Sequence, residues 1–185
     1  FANRAESFVA VSVTGERCAL CCAHCRGQLL KGMVPAESPE RLIRIGRSRR
    51  QKGCTGILLS GGCDEEGRVP LDGHLGAIRE LKKLGLTILV HSGLVDRNQA
   101  QRLKAAGVDQ VLFEVIGDAE TARAVYGLDR GPEDYEKSLR ALRAAELSVA
   151  PHVVIGLHFG ELRGEPRALE IIRDVGVDRI VLVAL

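Results

Sequence analysis

Six short apolar runs, with segments of helical periodicity between them, constrain this chain more than any other feature. They are Phe8–Val13, Gly56–Ser60, Leu86–His91, Gln110–Ile116, Ser148–Ile155 and Arg179–Leu185. Each is short enough for a buried strand, and all but the leucine-rich Gly56–Ser60 are rich in β-branched residues. Helices are predicted at Pro39–Lys52, Leu71–Leu84, Asp96–Ala106, Asp118–Tyr126, Pro132–Glu146 and Leu162–Val175. Their ends carry physical signals. Ser38 precedes a proline at the first helical position, Asp96 is placed to cap its helix, and Gly85 and Gly107 follow two helix ends. Pro151 limits how regular the fifth strand can be. Strand and helix in strict alternation force parallel pairing through right-handed crossovers. No G-x-G-x-x-G follows the first strand, so a dinucleotide-binding sheet loses its best support. The expected fold is α/β: a parallel (βα)6 partial barrel of TIM type, or a (βα)8 barrel without its tail. In both, ligands bind at the carboxyl ends of the strands.

The first of those ends is rich in sulfur. Ser12–Met33 reads SVTGERCALCCAHCRGQLLKGM and holds Cys18, Cys21, Cys22 and Cys25. Two overlapping C-x2-C pairs would suit tetrahedral zinc, but such ligands usually divide between two separated knuckles. Adjacent Cys21 and Cys22 would also strain so short a loop. The spacing C-x3-C-x2-C, from Cys18, Cys22 and Cys25, asks for a different metal. Three thiolates from one loop can hold three irons of a [4Fe–4S] cube and leave the fourth without a protein ligand. An open coordination position is what a site needs to bind substrate or cofactor.

Other strand ends carry Ser60–Gly61–Gly62–Cys63–Asp64, His91–Ser92–Gly93 and Gly156–Glu161. Two glycines let the backbone bend and approach a ligand closely. Glu114 lies in an apolar run, and a carboxylate there is costly unless it faces a polar cavity or partner. Cys63 reads as a fourth thiolate, a sulfur-handling residue or a compact hydrophobe, and Cys54 as core. His152 and His158 read as structural histidines, and Tyr126, Asp129 and Tyr135 as helix-surface or loop residues.

Composition excludes several function classes. A net charge of +2 gives no reason to invoke nucleic acid or a membrane surface, and the basic run Arg47–Lys52 reads as helix-surface charge. Aromatic content of 3% without tryptophan argues against base stacking on single strands. No apolar stretch is long enough for a membrane helix. Clustered cysteines without a secretory signal favour metal or redox chemistry in a cytoplasmic setting over a disulfide framework. At 185 residues one domain, 1–185, is expected. The first strand begins just after Arg4–Ser7 and Leu185 falls inside an apolar run, so truncation at both ends is the expectation.

C-x3-C-x2-C after a first strand resembles the radical S-adenosylmethionine (SAM) superfamily. The resemblance implies that Cys18, Cys22 and Cys25 hold a [4Fe–4S] cluster whose open iron chelates the amino and carboxylate groups of SAM. One electron then yields a 5'-deoxyadenosyl radical that abstracts a substrate hydrogen. His24 stands where most members carry an aromatic residue, and Cys63 where many carry Glu. By the same resemblance Ser60, Gly61 and Gly62 would hold the SAM amino group, Glu114 the ribose hydroxyls, and Gly156–Glu161 the adenine. The phrases LLSGGCDEEGRVPL, FEVIGDAETARAVYGL and VVIGLHFGE are similar to biotin-synthase-like members. Within these they resemble the branch that includes a component of two-protein lipoyl synthases. That implies sulfur insertion into C–H bonds of a small-molecule or carrier-protein-bound substrate, such as an octanoyl chain. It also implies an electron donor of flavodoxin or ferredoxin type and a second enzyme component. No second three- or four-cysteine group supplies the sulfur, so Cys54, Cys63, a further segment or a partner would have to. The alternatives are a radical SAM enzyme of rearrangement or methylation type, and a non-catalytic Fe–S or zinc protein.

Overall fold

The computed structural model describes residues 7–184. In chain order the elements are β1 (Phe8–Ser12), α1 (Gln28–Lys31), β2 (Val34–Pro35), α2 (Pro39–Gln51), β3 (Gly56–Ser60), α3 (Leu75–Lys83) and β4 (Thr87–His91). There follow α4 (Arg97–Ala106), β5 (Gln110–Glu114), α5 (Ala119–Thr121), α6 (Pro132–Ala144), β6 (Ser148–Ile155), α7 (Glu165–Val175) and β7 (Val181–Ala184). All seven strands join one parallel sheet in the order β2-β1-β3-β4-β5-β6-β7. The six expected strands therefore form in sequence order, and the two-residue β2 adds an edge beside β1. This is an α/β partial barrel. Among the described residues no helix is long and apolar enough to cross a membrane.

Register sorts the side chains between two faces. Val11, Leu59, Val90, Val111 and Val149 pair in a row across five strands, and all are buried. They join one core with Leu42 of α2, Leu81 of α3, Leu103 of α4, Leu139 of α6 and Ile171 of α7. Alternate residues face the other way, among them Glu114 and its partner across the ladder, His152. His91 on β4 and His152 on β6 are two strands apart, a separation of roughly 9.6 Å for backbones. Their ring centroids are nevertheless 6.0 Å apart, so these side chains lean together over a concave face. The polar residues of β4, β5 and β6 thus converge on the inside of the partial barrel.

Several boundaries differ from the sequence reading. β1 stops at Ser12, β5 at Glu114, and β7 starts at Val181; Leu185 and Arg4–Glu6 lie outside the described residues. A 3-10 turn at Asp72–His74 precedes α3. α7 begins at Glu165 rather than Leu162, because the Glu165 carboxylate accepts from Gly156 N–H and Arg163 N–H at 2.8 Å each and holds the preceding loop. β6 runs through Pro151 unbroken, and its pairing with β5 continues there, Phe113 opposite Pro151. After α5 the chain enters a π-helical turn at Ala122–Tyr126, which periodicity did not reveal. The Arg47, Arg49 and Arg50 side chains are exposed on α2, as expected of helix-surface charge.

Ser38 accepts from Arg41 N–H at 3.2 Å and caps α2. Asp96 and Gln99 form a reciprocal capping box on α4, with Gln99 N–H donating to Asp96 at 2.8 Å and Asp96 N–H donating back at 3.2 Å. Asp96→Ala should destabilise the fold by about 1 kcal/mol, seen as a lower urea midpoint with an unchanged slope.

Candidate metal and cofactor site

The loop after β1 is folded by its own backbone. Ser12 Oγ donates to the Gly15 carbonyl at 2.6 Å, starting the turn. Cys25 N–H and Arg26 N–H both donate to the Cys22 carbonyl, at 3.2 and 2.8 Å, and Gln28 N–H donates to Cys25 at 2.8 Å. Cys21 and Arg26 each adopt φ 46°, a left-handed conformation that side chains disfavour. The kink at Cys21 separates two neighbours: Cys21 is exposed, whereas Cys22 is buried. Burial, then the neighbouring Cys25, Cys18 and Cys63, push the Cys22 thiol up to about 12. Burial pushes the Cys63 thiol to about 12 as well, with Cys18, Asp64, Glu114 and Cys25 adding to it. Cys18 and Cys63 line one cavity beside the loop, while Cys21 is turned out to solvent. Among the described residues no three Cys, His, Asp or Glu side chains close around one point tightly enough for a single metal ion. A cube offers separate irons to separate thiolates, so its ligands need not converge on one point.

The end of β3 locks onto this loop. Val13 N–H donates to the Ser60 carbonyl at 2.8 Å, Gly62 N–H donates to Thr14 Oγ1 at 2.7 Å, and Ala19 N–H donates to the Cys63 carbonyl at 2.9 Å. A Cβ placed on Gly62 would lie 2.0 Å from the Arg17 carbonyl oxygen and 2.5 Å from Cys18 Cα and Cβ. Glycine is required there because the Cys18 backbone occupies the space of a side chain.

The β5 end supplies the carboxylate. Burial raises the Glu114 carboxyl above the usual carboxylate range, opposed by the Tyr126 hydroxyl, which donates to Glu114 Oε1 at 2.7 Å. Tyr126 and Tyr135, read from sequence as helix-surface or loop residues, are instead buried, at 7% and 5% exposure. Asp129 is exposed, as expected. Tyr126 was missed because the π turn adds a residue per turn and shifts its face inward. Its ring also lies 5.1 Å from that of His24, centroid to centroid, while Ala23 N–H donates to the Val125 carbonyl at 2.8 Å. The cysteine loop is therefore docked on the π turn that orients Glu114.

Between this loop and the end of β6 lies a cavity of about 610 Å³, bounded by Ala23, His24, Val125, Gly156, Leu157 and Phe159. Cysteine loop and Gly156–Glu161 loop thus face each other across a space of cofactor size. His158 is bonded through Nδ1 to Thr121 Oγ1 at 3.1 Å and is structural. Among the described residues His152 Nδ1 is buried without a hydrogen-bond partner, and burial with the nearby His152 ring holds His91 down to about 4, a neutral imidazole. Cys54 is sealed in the core beside the Gly56 and Ser7 carbonyls, at the foot of β3. Gly62→Ala should leave the helical circular dichroism near wild type and sharply reduce iron incorporated on anaerobic reconstitution, since the loop bearing Cys18 must move.

Residues 12–163 match the family described as the radical SAM superfamily. The chain is 25% identical over 175 residues to the biotin synthase of Nitrosococcus oceani, covering 90% of this chain and 49% of that protein. It therefore spans about half the length of this relative. Among solved structures it is similar to native anSMEcpe with bound AdoMet, at TM-score 0.63 and 13% identity over 96% of this chain and 51% of the other. It is also similar to the radical SAM methyltransferase TsrM of Kitasatospora setae with cobalamin and a [4Fe-4S] cluster bound. There the TM-score is 0.66 and the identity 16%, over 95% of this chain and 36% of the other. With the match spanning most of the chain from β1 to the loop beyond β6, this protein belongs to the radical SAM superfamily and is similar to its biotin-synthase branch.

Proposed function

We propose that this chain is the core of a radical SAM enzyme in which Cys18, Cys22 and Cys25 hold three irons of a [4Fe–4S] cluster. The observation that carries the reading is the close packing of Gly62 against Cys18, which joins the three-cysteine loop to the glycine pair. When bound, the cluster supplies the electron that splits the SAM sulfonium and frees a 5'-deoxyadenosyl radical to take hydrogen from substrate. The remaining work belongs to the protein. The Gly62 N–H is already donated to Thr14 and the Ser60 carbonyl already accepts from Val13, so the Gly61 and Gly62 carbonyls and the second lone pair of Ser60 are what this turn offers to the N–H groups of the SAM amine. Tyr126 holds Glu114 Oε1 and leaves Oε2 to accept from ribose hydroxyls. His24 and the Gly156–Glu161 loop wall the large cavity with mostly apolar surface, which suits the adenine of SAM.

For the outcome of the reaction we infer sulfur insertion at unactivated C–H bonds, with an octanoyl chain on a carrier protein as the substrate class. Likeness to biotin synthase supports this reading, as does the phrasing shared with lipoyl synthase components. The sulfur and the reducing electron come from partners, a second enzyme component and a flavodoxin- or ferredoxin-type donor. Product analysis with an octanoylated carrier protein separates thiolation from rearrangement or methylation.

Replacing Cys18, Cys22 or Cys25 by Ala should strip most reconstituted iron and all response to SAM, whereas Cys21→Ala should keep both. Iron assay and EPR of each variant check this; loss of the cluster in Cys21→Ala would overturn the ligand assignment. Glu114→Gln should leave iron content intact and weaken SAM binding roughly tenfold, one charge-assisted hydrogen bond being worth about 1.5 kcal/mol. Equilibrium dialysis with labelled SAM measures it, and unchanged affinity would remove Glu114 from the ribose site.

A further inference from the structure

Cys63 is built into the site differently from the other cysteines outside the motif. Cys54 is sealed in the core with carbonyl acceptors on its sulfur, and Cys21 is turned out to solvent. Cys63 is half-buried, and it faces open space on two sides. With Cys18, Thr14 and Arg17 it lines a cavity of about 520 Å³ at the foot of the cysteine loop. With Glu114, Tyr126 and His91 it lines a smaller one, of about 70 Å³, on the inside of the barrel. Its backbone is fixed relative to the loop twice over. The Cys63 carbonyl accepts from Ala19 N–H at 2.9 Å, and Gly62 packs directly on Cys18. Cys63 therefore sits beside Cys18, between the cavity it shares with that thiol and the one it shares with Glu114.

We propose that Cys63 is a displaceable fourth thiolate, ligating the open iron when SAM is absent and leaving it when SAM binds. The inference rests on the reading of Cys18, Cys22 and Cys25 as ligands of a [4Fe–4S] cluster. In the exchange the Cys63 sulfur–iron bond would break as the SAM amine and carboxylate form theirs, and the released thiolate would take the proton that the SAM ammonium gives up on binding. No electron is transferred. The free thiol then lies in the small cavity beside Glu114. Such a ligand protects the cluster at rest, since an iron held only by inorganic sulfide and solvent is the first to be lost on oxidation. It also lowers apparent SAM affinity, because only the fraction of molecules with the iron open can bind.

The test uses reconstituted wild-type protein beside Cys63→Ala, Cys63→Ser and Cys21→Ala, all free of SAM. Each is treated with limiting ferricyanide and a chelator, and loss of one iron is read as the EPR signal of a [3Fe–4S] cluster. Wild type and Cys21→Ala should keep four irons, while both Cys63 variants convert to [3Fe–4S] and are protected by added SAM. In parallel, SAM should bind the Cys63 variants about tenfold more tightly than wild type if the thiolate occupies the iron about nine-tenths of the time. Cys63→Ser, nearly the same size, carries the test if the alanine variant does not fold. Conversion of wild type as readily as the variants, or equal SAM affinities, would overturn the fourth-ligand role alone. A wild-type chain that assembles no [4Fe–4S] cluster would instead overturn the functional reading on which it rests.

Discussion

Gly62 lies against the backbone of Cys18 with no room for a side chain between them. The rest of the site depends on this contact. It brings the end of β3 under the cysteine loop, and the bonds from Val13 to Ser60 and from Ala19 to Cys63 close the seam on either side. Two residues of this loop hold left-handed conformations that side chains disfavour, and the seam with β3 helps to hold them. Pinned there, the loop presents Cys18, Cys22 and Cys25 over the carboxyl ends of the strands, which is where an α/β sheet exposes functional groups.

A second support comes from the opposite side. The π turn after α5 accepts the Ala23 N–H, places Tyr126 against His24, and directs its hydroxyl at Glu114. π turns often mark functional sites because the extra residue redirects a side chain that an α-helix would point elsewhere. Here one insertion couples the cysteine loop to the β5 carboxylate. A buried Glu would be costly without such a partner, and Tyr126 provides it while leaving the second oxygen for a ligand.

Much of this was legible in the residues, for physical reasons that can be named. β3 and β6 have the expected bounds, because continuous apolar runs between turn residues leave few other options. The caps at Ser38, Asp96 and Gly107 were plain because capping is local chemistry. The motif spacing singled out Cys18, Cys22 and Cys25 over Cys21, and the left-handed kink at Cys21 gives that choice a backbone cause. What stayed hidden was what depends on distant packing. Tyr126 was taken for a helix-surface or loop residue, since a π turn breaks the period on which such readings rest. The start of α7 moved because Glu165 bonds backward to Gly156, a contact made only once β6 is in place. Cys63 reads in three ways from sequence, and the contacts that tie it to the loop, through its carbonyl and through Gly62, exist only in the folded chain.

The account stands or falls on an open iron. Its most direct test is low-temperature EPR of the anaerobically reconstituted, reduced chain, recorded with and without SAM, with 5'-deoxyadenosine assayed in the same samples. A [4Fe–4S] signal that shifts when SAM is added, together with 5'-deoxyadenosine formation, is the result expected. A cluster indifferent to SAM, or four thiolates holding zinc, would contradict it and return the cysteine loop to a structural role.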